Sequence, residues 1–146
     1  CRGNGHVKTF WSVGEHCICC AREAAARGLS DRMVLTCLLH DASECYMSDV
    51  PRPFKQTMQE YIRQEEYLLS VIYTKLLGTD LTVEEPRQVK GIDDDLLWYD
   101  LVNLLDMTPD REKPEMHIKV ECKVQPFEEV EQEYLDIFEK YSRDVG

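Results

Sequence analysis

One short stretch of this 146-residue chain concentrates side chains that do metal chemistry. His40, Asp41 and Glu44 follow an apolar run that is typical of a buried helix. Burying such polar groups without a partner costs free energy, because they lose their hydration. On a helix, residues three and four apart share one face, so the three side chains would gather at one end of it. We therefore predict that a metal ion compensates them.

Further ligands are available from two other predicted helices. His16 falls in the first turn of one helix, and either Asp93 or Asp94 lies in the middle of another, where acidic residues interrupt an apolar pattern. Helical bundles build metal sites from side chains that project inward from facing helices. Mixed histidine and carboxylate ligation suits Mn, Co, Fe or Zn, and such an ion lowers the pKa of bound water enough to make hydroxide available for hydrolysis.

Apolar periodicity indicates the elements that position these residues. The pattern Ser12-Val13-Gly14-Glu15 fits a capping box and Gly28 a C-terminal stop, so a first helix lies between them. A second helix starts at Ser30 or Asp31 and carries His40, Asp41 and Glu44. Pro51 and Pro53 then force a turn. The remaining predicted elements are helices over 57–77, 82–107 and 126–143, and a short strand over 117–124.

The chain length and the helical apolar periodicity predict a single all-α domain over residues 1–146, a compact bundle of about five to six helices with its core in 12–107. The formal net charge of -11 argues against binding a nucleic acid polymer, which requires clustered Lys and Arg. A small anionic substrate remains compatible with local positive charge. No apolar run approaches the roughly 20 residues of a membrane-spanning helix, so we predict no membrane association.

Seven cysteines, three of them bunched at positions 17, 19 and 20, suit reduced thiols better than a disulfide framework. The cytoplasm is therefore the expected compartment. Cys17 and Cys20 form a C-x-x-C pattern, but no second pair with zinc-ribbon spacing follows. We interpret them as buried structural residues rather than metal ligands, since free Cys is among the most buried residue types.

As an ordered set, these residues resemble the HD-domain metal-dependent phosphohydrolases, whose signature is a His, then His-Asp, then a distant Asp. Here the signature reads His16, His40-Asp41 and Asp93. The chain is most similar to the small bacterial and phage branch that includes the 5'-deoxynucleotidases. The matching segments are Phe10-Trp11-Ser12-Val13-Gly14-Glu15-His16, Leu39-His40-Asp41-Ala42-Ser43-Glu44-Cys45-Tyr46, Ser48-Asp49-Val50-Pro51-Arg52-Pro53-Phe54-Lys55 and Val89-Lys90-Gly91-Ile92-Asp93.

The resemblance implies metal ligation by His16, His40, Asp41 and Asp93 in an HD-domain fold, and homodimerisation. It assigns Asp41 and Glu44 catalytic roles, and that of Glu44 is to place or deprotonate water or to protonate the leaving group.

It further implies that Arg2 binds phosphate, that Asp49 contacts the sugar and that Lys55 belongs to the substrate site. Gly3 replaces the Trp that follows this Arg in deoxynucleotidases, so the nucleotide preference does not carry over.

The expected function is release of phosphate from a small phosphorylated substrate, a nucleoside 5'-monophosphate or deoxynucleotide. Two alternatives remain open at this point. One is a non-catalytic HD module that binds a nucleotide or a protein partner. The other is a hydrolase of nucleoside triphosphates or alarmones.

Overall fold

The computed structural model describes residues 1–143 and residue 145, and within them helices are the regular secondary structure, joined by turns and loops. Five longer helices and two single-turn helices follow a 3₁₀ turn at Arg2–Gly5. They are α1 (Val13–Ala26), α2 (Asp31–Leu39), α3 (Glu44–Met47), α4 (Arg52–Lys55), α5 (Gln59–Leu77), α6 (Glu85–Leu105) and α7 (Phe127–Ser142). The predicted all-α bundle is confirmed.

The start of α1 is the predicted capping box. The Ser12 hydroxyl accepts a hydrogen bond from the Glu15 backbone N–H at 3.1 Å, and the Ser12 backbone N–H donates to Glu15 Oε2 at 2.8 Å. This cap places His16 in the first turn, with its side chain buried. The entry to α1 therefore sets the position of one candidate ligand.

The second helix forms the centre of the bundle and packs against α1, α5, α6 and α7. Ser30, rather than Asp31, is its N-cap, because the Ser30 hydroxyl accepts from the Met33 backbone N–H at 3.3 Å. Val34, Leu35 and Leu38 are fully buried, as a helix that is apolar on all sides requires. The C-terminal end of α2 consequently lies in the interior.

The predicted extent of the second helix is wrong. Helix α2 ends at Leu39, His40 is its C-cap, and Glu44 begins α3. Between them the backbone hydrogen bonds run from residue i to i−3, with Ala42 N–H donating to Leu39 and Glu44 N–H donating to Asp41. The chain tightens into a turn here, so His40, Asp41 and Glu44 do not share the face of one helix.

The predicted strand over 117–124 is also wrong, since the described residues contain no strand with which it could pair. The extended segment is instead held by the buried carboxylate of Glu23 on α1. This carboxylate accepts from the backbone N–H groups of His117 and Ile118 at 3.0 and 3.1 Å, and from Arg27 Nε at 2.8 Å. Although burial opposes ionisation, these donors lower the pKa of Glu23.

The sequence predicts reduced cysteines and no membrane-spanning helix. All seven cysteines are free thiols, in agreement with the predicted reduced state. Across the described residues, the helices are each too short or too polar to cross a lipid bilayer.

Candidate metal centre

Three elements bring the four predicted ligands to one place. His16 comes from α1, His40 and Asp41 from the C-cap and turn that follow α2, and Asp93 from α6. Nε2 of His16 lies 3.1 Å from Asp93 Oδ1 and 3.9 Å from Asp41 Oδ2. Nε2 of His40 lies 3.4 Å from Asp41 Oδ2 and 3.8 Å from Asp93 Oδ1. Neighbouring ligand atoms on one metal ion are about 3 to 4 Å apart, so this spacing suits an ion between them.

Only one member of the acidic triplet faces the histidines. Asp93 presents Oδ1 to them, while its Oδ2 accepts from Arg52 at 2.6 Å. Asp94 pairs with Arg52 and Lys90, and Asp95 pairs with Arg27 and Arg111. Asp93 rather than Asp94 therefore lies beside the histidines, because successive helical residues point in different directions.

Both imidazole rings are oriented through their other nitrogen. His40 Nδ1 lies 2.7 Å from the Cys37 carbonyl oxygen, to which it donates, and His16 Nδ1 lies 3.5 Å from Asp100 Oδ2. Each Nε2 is thereby turned towards the carboxylates. Within the described residues, Nε2 of His40 is buried and makes no hydrogen bond. Its nearest acidic oxygens are Asp41 Oδ2 at 3.4 Å and Asp93 Oδ1 at 3.8 Å, and a metal ion among these atoms would bind the nitrogen and both carboxylates.

The charges at the centre favour protonated histidines when no ion is bound. Burial alone would lower the pKa of His40, but Asp41 and nearby thiols raise it well above its usual value. Burial also acts to lower the pKa of His16, but Cys20, Asp100 and Asp93 raise it above its usual value. The two histidines in turn overcome the effect of burial and lower the pKa of Asp93. A metal ion must displace these protons, so its affinity will fall as the solution becomes more acidic.

Asp100 belongs to the centre and was missed by the sequence analysis. Its side chain is buried, and its Oδ2 lies 3.5 Å from His16 Nδ1 and 3.4 Å from an Arg2 guanidinium nitrogen. Asp100 follows Asp93 by seven residues, two turns of α6, which places both on one face. This seven-residue spacing was the signal in the sequence that could have identified Asp100. Asp100 acts here as a positioning residue for the His16 ring.

Replacing Asp100 with Asn is expected to weaken metal binding by about 10 to 100-fold, since partners that orient a ligating histidine contribute that much. Isothermal titration of the metal-free protein with Zn²⁺ or Mn²⁺ measures the change. Asp110→Asn is the matched control, because Asp110 is exposed on the loop after α6. Equal affinities for wild type and Asp100→Asn would contradict the orienting role.

A cavity of about 440 Å³ opens beside the centre. Its polar side is lined by Arg2, Asp41, Glu44, Asp49, Arg52, Lys55, Asp93 and Asp100. Its apolar side is lined by Val7, Leu97, Leu101, Leu104, Leu105 and Met107, among other residues. The volume lies in the range of small-molecule sites, and the lining combines an apolar wall with a few convergent polar groups, as such sites require.

The three predicted substrate residues all line this cavity, but they have different partners. Arg2 is mostly buried and donates to Asp41 and Asp100. Asp49 accepts from the Gly3 backbone N–H at 2.9 Å, which ties the N-terminal turn to the site. Lys55 pairs with Glu65 at 2.6 Å, so its ammonium group is already neutralised by α5. Of these two predicted cations, Arg2 is the one that contacts a candidate metal ligand, Asp41.

Glu44 lines the same cavity, and its carboxyl group has an unusual pKa. Burial, followed by the charges of Asp41 and Asp49, raises the pKa of Glu44 to about 8. Its Oε2 is buried and makes no hydrogen bond within the described part of the chain. A carboxyl group in this state holds a proton near neutral pH and can give it up to a ligand in the cavity.

Two cysteines of α1 also approach the histidines. Cys17 and Cys20 are both buried, as predicted. Donor atoms of His16, Cys20 and His40 all lie within 4.8 Å of one another, and the same holds for Cys17, His40 and Asp41. The arrangement therefore offers sulfur as well as nitrogen and oxygen donors, which the interpretation of these cysteines as purely structural did not anticipate.

The fold and the site together define an all-helical protein with a cluster of His, Cys and Asp side chains that could hold a metal ion. No protein-family model matches the chain. The chain is similar to YfdR, an uncharacterised protein of Escherichia coli K12, with 29% identity over 109 residues. The match covers 67% of this chain and 58% of YfdR, so the chain spans less than two thirds of that relative's length.

Proposed function

We propose that the chain is an HD-domain metal-dependent phosphohydrolase that releases phosphate from a small phosphate ester, with a nucleoside 5'-monophosphate or deoxynucleotide as the substrate class. The observation that carries this proposal is the arrangement of the donor atoms of His16, His40, Asp41 and Asp93 beside one cavity. Arg2 lies at the same end of that cavity and supplies positive charge for phosphoryl oxygens.

A divalent ion held by these four residues would polarise a phosphoryl oxygen and lower the pKa of bound water. The side chains of the protein supply charge neutralisation and proton transfer. Arg2 neutralises negative charge on the phosphoryl group as water attacks phosphorus. Glu44 carries a proton that it transfers to the oxygen of the departing alcohol. The products are the alcohol and inorganic phosphate.

The apolar side of the cavity supports a substrate with a flat, weakly polar part. Leu97, Leu101 and Leu104 lie on α6 at helical spacing and cover this side. A nucleobase against this wall would leave its sugar near Asp49 and its phosphate near Arg2 and the centre. The wall also excludes water from the reacting group, which strengthens electrostatic interactions there.

Assaying the purified chain with Mn²⁺ or Co²⁺ and a panel of nucleotides tests the proposal. We expect inorganic phosphate to be released from at least one monophosphate, and the release to stop when a chelator is added. Release of pyrophosphate would instead identify a hydrolase of triphosphates or alarmones. Thermal stabilisation by a nucleotide without turnover would identify a binding module, and either result would overturn the proposed reaction.

A further inference from the structure

The thiol of Cys20 occupies a special position at the metal centre. Cys20 lies one turn after His16 on α1, so both side chains share one face of the helix. Its Sγ lies 3.6 Å from His16 Nε2, the nitrogen that faces the candidate ligands. The Cys20 residue is only 1% exposed. The sulfur is therefore held against the centre from inside the bundle.

This separation matches that of two neighbouring ligands on one metal ion. With a Zn–S bond near 2.3 Å and a Zn–N bond near 2.0 to 2.1 Å, sulfur and nitrogen lie about 3.1 to 3.6 Å apart for angles of about 90 to 110° at the metal. Donor atoms of His16, Cys20 and His40 are mutually within 4.8 Å. The His40 side chain is only 8% exposed, and its buried Nε2 makes no hydrogen bond within the described residues although it lies 3.4 Å from Asp41 Oδ2, so an ion shared by these atoms would give it a partner.

We propose that Cys20 is an additional ligand of the metal ion and binds it as a thiolate beside His16 and His40. On binding, the Cys20 S–H bond breaks, its proton leaves to solvent and a metal–sulfur bond forms without a change of oxidation state. The inference rests on the proposed metal site and refines its metal class. A thiolate ligand favours Zn²⁺ or Co²⁺ over Mn²⁺, which prefers oxygen ligands.

The other thiols of α1 provide matched controls. Cys17 Sγ approaches His40 at Nδ1, at 3.9 Å, and that nitrogen already donates to the Cys37 carbonyl oxygen. Cys19 lies on another side of the helix and lines a separate cavity with Trp11 and Glu15. Cys20 is thus the thiol that approaches a metal-facing nitrogen.

Cobalt spectroscopy of the metal-free full chain tests the inference without an activity assay. Bound Co²⁺ shows visible d–d bands whatever its ligands, whereas a near-ultraviolet thiolate-to-cobalt charge-transfer band requires sulfur. We expect both signals in the wild type. In Cys20→Val the charge-transfer band should disappear. The Co²⁺ affinity should also fall by at least about tenfold, because replacing even a residue that only supports a ligand can cost that much. Cys19→Val should retain both the band and the affinity.

The outcomes separate this inference from the proposed function. Visible bands without a charge-transfer band in the wild type would overturn ligation by Cys20 and leave the metal site intact. A charge-transfer band that survives in Cys20→Val, or that disappears only in Cys17→Val, would also overturn it. The absence of any cobalt bands would overturn the metal site and the inference together. Cys20→Ser provides a second variant, and circular dichroism verifies that each variant folds.

Discussion

Replacing Asp41 with Ala is expected to reduce kcat/KM for phosphate release by at least about a thousandfold, which corresponds to about 4 kcal/mol of lost transition-state stabilisation. Asp41 Oδ2 lies 3.4 Å from His40 Nε2 and 3.2 Å from the Arg2 guanidinium group. Burial opposes ionisation of this carboxyl group, but His40, His16 and Arg2 lower its pKa. The substitution therefore removes an ionised carboxylate that we propose as a metal ligand, and one partner of Arg2, the proposed phosphate-binding cation.

The Asp41 experiment needs a variant that preserves packing. Asp41→Asn keeps the side-chain volume and can still accept a hydrogen bond from Arg2, but it lacks the negative charge that a metal ligand provides. We expect a similar loss of activity in Asp41→Asn and no loss in Asp110→Ala, whose side chain is exposed after α6. Steady-state phosphate release at saturating Mn²⁺ is the measurement. Wild-type rates in both Asp41 variants would contradict the proposed function.

Replacing Glu44 with Gln is expected to lower kcat by about 10² to 10⁴-fold, the usual contribution of a positioned acid or base, and to change KM little. Gln has nearly the same shape as Glu but cannot transfer a proton. The buried Oε2 of Glu44 faces a cavity whose other acidic groups raise the pKa of this carboxyl group. Measurement of kcat and KM for the best substrate of the panel tests this expectation. A fall in kcat/KM that comes only from KM would indicate a substrate contact rather than proton transfer.

The same substitution has a second, independent readout in the stability of the metal-free protein. The pKa of Glu44 is about 8 in the folded state, against 4.5 as its ordinary value. The folded state therefore binds the extra proton between these values, so stability falls as the pH rises through this range. Glu44→Gln removes that dependence. At pH 8 the variant should be more stable than the wild type by about 1 to 3 kcal/mol, and at pH 4.5 the difference should nearly vanish.

Thermal unfolding at the two pH values, in the presence of a chelator, measures this effect. Glu66→Gln is the control, since Glu66 is exposed on α5 and should show no such change between pH 4.5 and 8. A pH-independent difference between wild type and Glu44→Gln would mean that Glu44 ionises normally in the folded protein.

The elements with strong local signals follow the prediction closely. The capping box at Ser12 begins α1 where expected, and the apolar character of residues 33–39 makes α2 the central helix. These features depend on interactions between residues close in sequence, or on burial that one stretch of residues demands by itself. Each of the predicted longer helices is present, with ends that differ by a few residues.

Two errors concern segments whose local structure apolar periodicity does not determine. The alternation over 117–124 resembles a strand, but the described part of the chain offers Glu23 rather than a partner strand for its backbone donors. The second helix ends at Leu39 rather than continuing through Glu44, because i→i−3 hydrogen bonds replace the helical pattern between Ala42 and Tyr46. Periodicity reports only the face that is buried and does not identify what covers it.

The sequence by itself determined the residue types of the centre, their order along the chain and the helices that carry His16 and Asp93. Only the tertiary structure decided which atoms meet: Asp93 rather than Asp94, Asp100 behind His16, Glu65 on Lys55, and the sulfur of Cys20 against His16 Nε2. The physical reason is that a metal centre depends on distances of a few ångströms between side chains from different helices. Those distances are set by how the helices pack, and the spacing of residues along one helix does not specify that packing.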